Sequence, residues 1–89
     1  MTIIEQTLFY DLVRDGHDFY REAGYFRNIG KFLKARNLFG KAKGKFQEAY
    51  EMSSFYGDTL GSSLTIEIEA CESMYKKMDE LSSSNELIH

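Results

Sequence analysis

The sequence predicts an all-α fold, a small antiparallel bundle of three to four helices, and three observations carry that expectation. Proline is absent from all 89 residues, so the strongest helix breaker is missing. Apolar residues recur at three- and four-residue steps along most of the chain, the spacing of one helical face. Hydrophobic residues reach 43% and aromatic residues 15%, enough for a core and too many for a wholly disordered chain. The length is that of one domain. We expect a single helical domain over 1–81 and a flexible C-terminal tail over 82–89.

The first helix is expected from Thr2 to Glu22. Thr2-Ile3-Ile4-Glu5 has the form of a capping box, in which the Thr hydroxyl and the Glu carboxylate each take an exposed backbone N–H. Ile4, Leu8, Leu12, Phe9, Val13, Phe19, Tyr20 and Ala23 then form the apolar stripe. Gly16 inside it costs about 1 kcal/mol relative to Ala, which suggests a close approach by a neighbouring helix. Gly24 is the expected stop. Beyond it Tyr25, Phe26, Ile29, Phe32, Leu33 and Ala35 resume the helical period, and Leu38, Phe39, Ala42, Phe46, Ala49, Tyr50 and Met52 continue it. Asn37 suits either a helix end or a helix start, and with Gly40 and Gly44 close by, a break at Asn37 is expected. Ser53 to Asp58 reads as a turn, with Gly57 just past a helix end and Asp58 capping the next helix. That last helix carries Leu60, Leu64, Ile68, Cys71, Tyr75, Met78 and Leu81, a spacing close to a coiled-coil seam. A homodimer through this Leu60–Leu81 helix is a further expectation. The alternation in Thr65-Ile66-Glu67-Ile68-Glu69 resembles a strand but is too short to outweigh the helical period around it.

Charge is sharply partitioned. Residues 1–22 carry a formal −3, residues 23–47 carry +7 without one acid, and residues 48–89 carry −7. The bases of the middle block are Arg27, Lys31, Lys34, Arg36, Lys41, Lys43 and Lys45. Segregation of this kind points to a partner more than the net charge of −3 does.

The middle of the chain, about residues 23–56, resembles a single tetratricopeptide repeat, a 34-residue helix–turn–helix unit. Phe26 stands at the first aromatic position, Ile29-Gly30 at the aliphatic–Gly pair and Leu33 at the next large position. Phe39 matches the aromatic near the turn, and Ala42, Phe46 and Ala49 keep the Ala-x3-aromatic-x2-Ala spacing of the second helix. Ser54 replaces the Pro that commonly ends the unit, Asn37 replaces Gly at the turn, and neither flank shows a second repeat. A helical bundle of the microtubule-interacting-and-transport type has a similar look and is the alternative. The tetratricopeptide resemblance implies a TPR-like central hairpin whose outward face grips an acidic peptide or a C-terminal carboxylate. The residues it implies are Arg27, Asn28, Lys31 and Lys34, acting through charge-assisted hydrogen bonds. Lys41 and Lys45 extend the same basic stretch and complete the candidate partner-binding set. The competing reading is a solvated helix face balanced by the acidic helices beside it.

Other chemistries find less support. Bases interleaved with Phe26, Phe32, Phe39 and Phe46 could serve a nucleic-acid-binding protein, but the Phe spacing is that of a core. The acidic flanks would also repel a polyanion, and a pI near 5.3 is far from a basic footprint. Gly40-Lys-Ala-Lys-Gly44-Lys45 lacks the spacing, the Ser or Thr and the preceding strand of a phosphate-binding loop. His17 has no Cys or second His at ligand spacing. Cys71 lies on the apolar stripe, where a buried small hydrophobe is expected, and a lone Cys fits a reducing cytosol. Glu67, Glu69 and Glu72 form a charged helix face. No nucleophile, base and orienting group come together, so neither an enzyme, a metal nor a cofactor is expected. The N-terminus lacks the basic start of a signal peptide, and no apolar run approaches the roughly 20 residues of a membrane span. The expected function is therefore a non-catalytic, cytoplasmic interaction module (an adaptor, co-chaperone or regulatory subunit) that presents a basic helix face to an acidic peptide or protein. Tyr10, Tyr25, Phe55, Tyr56 and Met74 are the candidates for an exposed apolar patch beside it.

Overall fold

The structure, a computed structural model, describes residues 1–57 and 59–88, with backbone alone for residues 85–88. It consists of α1 (Ile3–Asn28), α2 (Phe32–Phe55) and α3 (Leu64–Ile88), and no strand occurs among the described residues. The expected all-α fold is the one observed. The Thr65–Glu69 alternation lies inside α3.

The capping box at the start of α1 forms as the sequence indicates. The Glu5 N–H donates to the Thr2 hydroxyl at 3.2 Å, and the Thr2 N–H donates to the Glu5 carboxylate at 2.9 Å. The helix does not stop at Gly24. It ends at Asn28, and Gly30 supplies the positive φ of 79° that reverses the chain. The Lys31 N–H donates to the Phe26 carbonyl and the Gly30 N–H to the Arg27 carbonyl, the double closure of a Schellman motif. Gly30 is thus a turn residue, and the closure needs a glycine at that position because a Cβ resists φ > 0.

α2 runs unbroken through Asn37, which corrects the expected break there. The Asn37 side chain faces solvent and accepts from the Arg36 guanidinium at 3.2 Å instead of capping a helix. Burial decides the matter. Ala35, Leu38, Phe39, Ala42, Phe46, Ala49 and Ser53 form one continuous buried stripe, whose packing outweighs the cost of about 1 kcal/mol for each of Gly40 and Gly44. Consequently Phe26 belongs to α1, Leu33 through Ala49 lie in one helix, and the turn within residues 23–56 falls at Gly30 and not at Asn37. Gly57, at φ 66°, follows the Tyr56 C-cap as expected. Asp58, expected to cap the next helix, lies outside the described residues. Turns over residues 59–63 lead into α3, anchored where the Gly61 N–H donates to the buried Ser53 hydroxyl at 2.9 Å. α3 continues through the serines of the expected tail as far as Ile88, and Ser82 is buried.

The helices pack antiparallel in sequence, with α2 in the middle. α1 and α2 meet at Gly16 under Phe46 and at Tyr20 against Phe39. α2 and α3 meet where Arg36 reaches Asp79 and where Gly40 lies under Tyr75. The long-range packing is α1 on α2 and α2 on α3, giving a rod of 52 × 16 × 13 Å. This arrangement explains an error in the expected core. α1 is covered along one line only and buries Phe9, Gly16 and Ala23 at seven-residue steps, while Ile4 and Leu8 are left exposed. α2, covered on two sides, buries the most. Leu64, Cys71 and Met78 are buried against α2 within the same chain, so most of the seam expected to form a dimer is already occupied.

Two core clusters result. One gathers Phe9, Ala42, Phe46, Ala49, Leu64 and Cys71; the other gathers Ala23, Ala35, Leu38, Phe39 and Met78 near the α1–α2 turn.

Candidate functional site

A helix turns 100° per residue, so positions seven apart share a face and their neighbours diverge. That geometry distributes the bases of α2 to different places. Lys34 and Lys41 lean towards α1, the Lys34 Nζ 4.2 Å from the Phe26 ring centroid and the Lys41 Nζ 5.8 Å from that of Phe19. Lys45 borders a shallow cleft with Asp15, Asp18, Phe19 and Glu22 of α1. Arg36 and Lys43 lie on the α3 side. Arg36 forms a 2.7 Å ion pair with Asp79 and sits over the Tyr75 ring, and Lys43 borders a cleft with Glu72, Tyr75 and Lys76. The acid-free stretch of sequence is therefore two rims divided by the buried stripe, not one face.

The candidate partner-binding residues divide accordingly. Arg27 and Asn28 end α1, Lys31 lies in the turn and Lys34 is in the first turn of α2, so these four gather at one end of the rod. Lys41 and Lys45 lie on the α1 rim, about 10 and 16 Å further along the helix axis at the usual 1.5 Å rise. At the gathered end Arg27, Asn28, Lys31 and Lys34 are all exposed, and the Arg27 guanidinium donates to the Asn28 side-chain oxygen at 3.4 Å. No described carboxylate lies within ion-pair distance of Arg27, Lys31 or Lys34. By contrast Arg14 and Arg21 are engaged with Asp11, Asp15 and Asp18 of their own helix.

Apolar side chains accompany this cationic end. Tyr25, Ile29 and Leu33 are 60%, 49% and 48% exposed. Ile29 and Leu33 were expected in the core. The turn at Gly30 carries Ile29 out of the helical register, and Leu33 stands half exposed in the first turn of α2. The signal that could have found them is Gly30 itself, read as a chain reversal. Of the other residues expected in an apolar patch, Tyr10, Phe55 and Tyr56 are exposed at the far end or along α1, whereas Met74 is half-buried against the second core cluster.

The remaining titratable groups fall into place around the core. The Cys71 thiol is buried, and burial, reinforced by the nearby Glu67 charge, pushes its pKa up to about 11. It behaves as a small hydrophobe. His17 is exposed with its ring edge against Phe46 at 5.0 Å. Glu5 is held below the usual carboxylate range by a hydrogen bond from the Tyr56 side chain and then by those from Thr2, while the same bond raises Tyr56. Phe39 and Phe46 are fully buried and offer no ring for base stacking. No group of three or more His, Cys, Asp or Glu side chains placed to hold a metal ion occurs among the described residues. No described helix is long and apolar enough to cross a membrane.

Comparison with known protein families, with curated proteins and with solved structures returns no match.

Proposed function

We propose that the protein is a non-catalytic interaction module of the cytoplasm, and that the end built by the α1–α2 turn is its docking surface for an acidic segment of another protein. One observation carries the reading. Arg27, Lys31 and Lys34 are exposed beside Tyr25, Ile29 and Leu33, with no described carboxylate close enough to pair with them. On the α3 side, by contrast, Arg36 is paired with Asp79. The turn end keeps its positive charge available, and its apolar neighbours supply contact area that loses water on binding.

Such a surface suits an acidic peptide with interspersed apolar residues. Carboxylates would take charge-assisted hydrogen bonds from Arg27 and the lysines, while the Asn28 amide offers both a donor and an acceptor to a peptide backbone. Long-range attraction by the cationic block would speed encounter more than it tightens the complex. Lys41 and Lys45, on the α1 rim, contribute to that field and lie away from the docking end.

The test is a fluorescence-anisotropy screen of acidic 12-residue peptides with interspersed Phe and Leu, against matched neutral and basic peptides. Acidic peptides should bind, and Lys31→Glu with Lys34→Glu should lower affinity about tenfold or more, at roughly 1 kcal/mol per reversed charge. Helicity should be unchanged. Equal binding by the double variant removes the turn end as the site.

A further inference from the structure

The end of the rod opposite the α1–α2 turn is its electrostatic reverse. The start of α1, the close of α2 and the start of α3 build it, and no Lys or Arg occurs in residues 1–13 or 46–75, which supply them. Glu48 and Glu51 stand exposed on α2 there, and no described base lies within ion-pair distance of either. Apolar side chains are uncovered at the same end: Ile3, Ile4 and Phe55 are 82%, 74% and 81% exposed. The two ends therefore share an apolar character and carry opposite charge.

Residues 48–60 read EAYEMSSFYGDTL, with three acids and no base. Tyr50, Phe55, Tyr56 and Leu60 are exposed among them. An acidic segment with interspersed apolar residues is the chemistry that suits the turn end, and the chain carries one itself. It cannot fold back onto the turn end of its own molecule. The 24 residues of α2 hold the two ends about 36 Å apart at the usual helical rise. Only a second copy brings them together.

We propose that the protein associates head to tail, with Arg27, Lys31 and Lys34 of one copy against Glu48, Glu51 and Phe55 of the next. The inference rests on the turn end being a surface for acidic segments, and it names a second copy of this chain as one such partner. Two different patches meet, so the contact is heterologous, and every pair keeps one free end of each kind. Open chains form instead of a closed dimer. The rod is only 16 × 13 Å across between Cα positions. An end that narrow buries less than the roughly 800 Å² per partner of a stable complex. Each contact is accordingly weak, with a dissociation constant on the order of 0.1–1 mM, and its charges make it sensitive to salt.

Sedimentation velocity of the full chain, from about 10 μM to about 1 mM, covers that range. The average mass should rise with concentration at low salt and return to that of a monomer at about 0.5 M salt. Lys31→Gln with Lys34→Gln should weaken association about fivefold or more, and Glu48→Gln with Glu51→Gln should do the same. All four side chains are exposed, and thermal melts confirm that both variants fold as the wild type does. Mixing the two variants should restore pairs and nothing larger, because each contributes one intact end. A wild type that stays monomeric at low salt, while an acidic 12-residue peptide binds the turn end, overturns the self-association and leaves the turn end as an acid-binding surface. A monomer that binds no acidic peptide overturns both. Association that survives either variant, or that stops at a closed dimer, belongs to another surface and also overturns the proposal.

Discussion

Replacing Gly16 by Ala should weaken the fold, whereas the same change at Gly24 should strengthen it. Both glycines lie within α1, and in each case the helix gains about 1 kcal/mol from the better helix former. They differ in what the new methyl group meets. At Gly24 nothing lies within 4 Å, so the gain is kept. At Gly16 the added Cβ falls 2.7–2.9 Å from three atoms of the Phe46 ring, closer than carbon atoms tolerate. Phe46 is buried against Ala42, Ala49, Leu64 and Cys71 and has little room to turn. Overpacking of this kind costs roughly 1–3 kcal/mol, which cancels or exceeds the helical gain. The two variants should therefore differ by about 1–3 kcal/mol, or on the order of 5–20 °C in melting temperature for a domain of this size. Urea denaturation followed by circular dichroism measures the difference. A double variant adding Phe46→Leu should recover part of the Gly16→Ala penalty, because the smaller side chain vacates the contested space. If Gly16→Ala proved as stable as Gly24→Ala, α1 and α2 would not cross at Gly16, and the packing described here would be wrong.

Gly30→Ala should lower stability by about 1–2 kcal/mol, since the turn holds φ at 79° and a Cβ opposes that conformation; an unchanged urea midpoint would refute the Schellman closure. Tyr56→Phe should flatten the acid limb of the stability curve. Glu5 is depressed in the fold, so its contribution is complete above the unfolded carboxylate pKa and is lost as pH falls through the folded value. The Tyr56 pKa is raised, so its contribution is present below pH 10 and lost above; melts between pH 2 and 11 test both limbs. The Cys71 thiol, with a pKa pushed up to about 11 and no exposed surface, should react with a disulfide reagent at pH 8 only as fast as the protein opens. Addition of urea to the transition midpoint should release it. Lys45→Glu should destabilise by a few tenths of a kcal/mol to about 1 kcal/mol at low salt, because it faces Asp15, Asp18 and Glu22. Lys31→Glu should leave the melt almost unchanged, and 0.5 M salt should erase most of the Lys45 effect.

Much of this molecule could be read before its coordinates. The capping box at Thr2, the close approach at Gly16, the buried Cys71 and the continuous stripe through Phe39, Phe46 and Ala49 all follow from spacing, and the structure carries each of them. The turns were harder. Gly24 and Gly30 look alike in the sequence, yet one is tolerated inside a helix and the other reverses the chain. The difference lies in how Ala23 and Phe26 pack on α2, a tertiary fact. The Ala-x3-Phe-x2-Ala spacing occurs twice in overlap, over Ala35-Phe39-Ala42 and over Ala42-Phe46-Ala49. Such a pattern marks a face without fixing where the preceding turn falls, and the observed turn at Gly30 lies ahead of the first copy, seven residues earlier than the placement at Asn37. Ile4 and Leu8 show a related limit. Periodicity tells which residues share a side of a helix, but the width of the covered strip depends on how many neighbours that helix has, and α1 has one.

The same limit governs the charges. A run of bases without an acid suggests one positive face, but a helix distributes consecutive residues around its whole circumference. α2 is also the helix with a neighbour on each side, so its bases are brought against acids from two directions: Asp79 and Glu72 from α3, and Asp15, Asp18 and Glu22 from α1. Cations close to those acids bear mainly on stability, which is why Lys45 should respond to salt in a melt. Beyond the last turn of α1, Arg27, Lys31 and Lys34 have no described carboxylate in ion-pair range and share no cleft with the acids that line those beside Lys43 and Lys45, so their charge remains to act on something else. The sequence block that looked like one binding face is better divided by what lies within a few ångströms of each cation. By that division the docking end is short, and the work of holding the helices together falls to the rest.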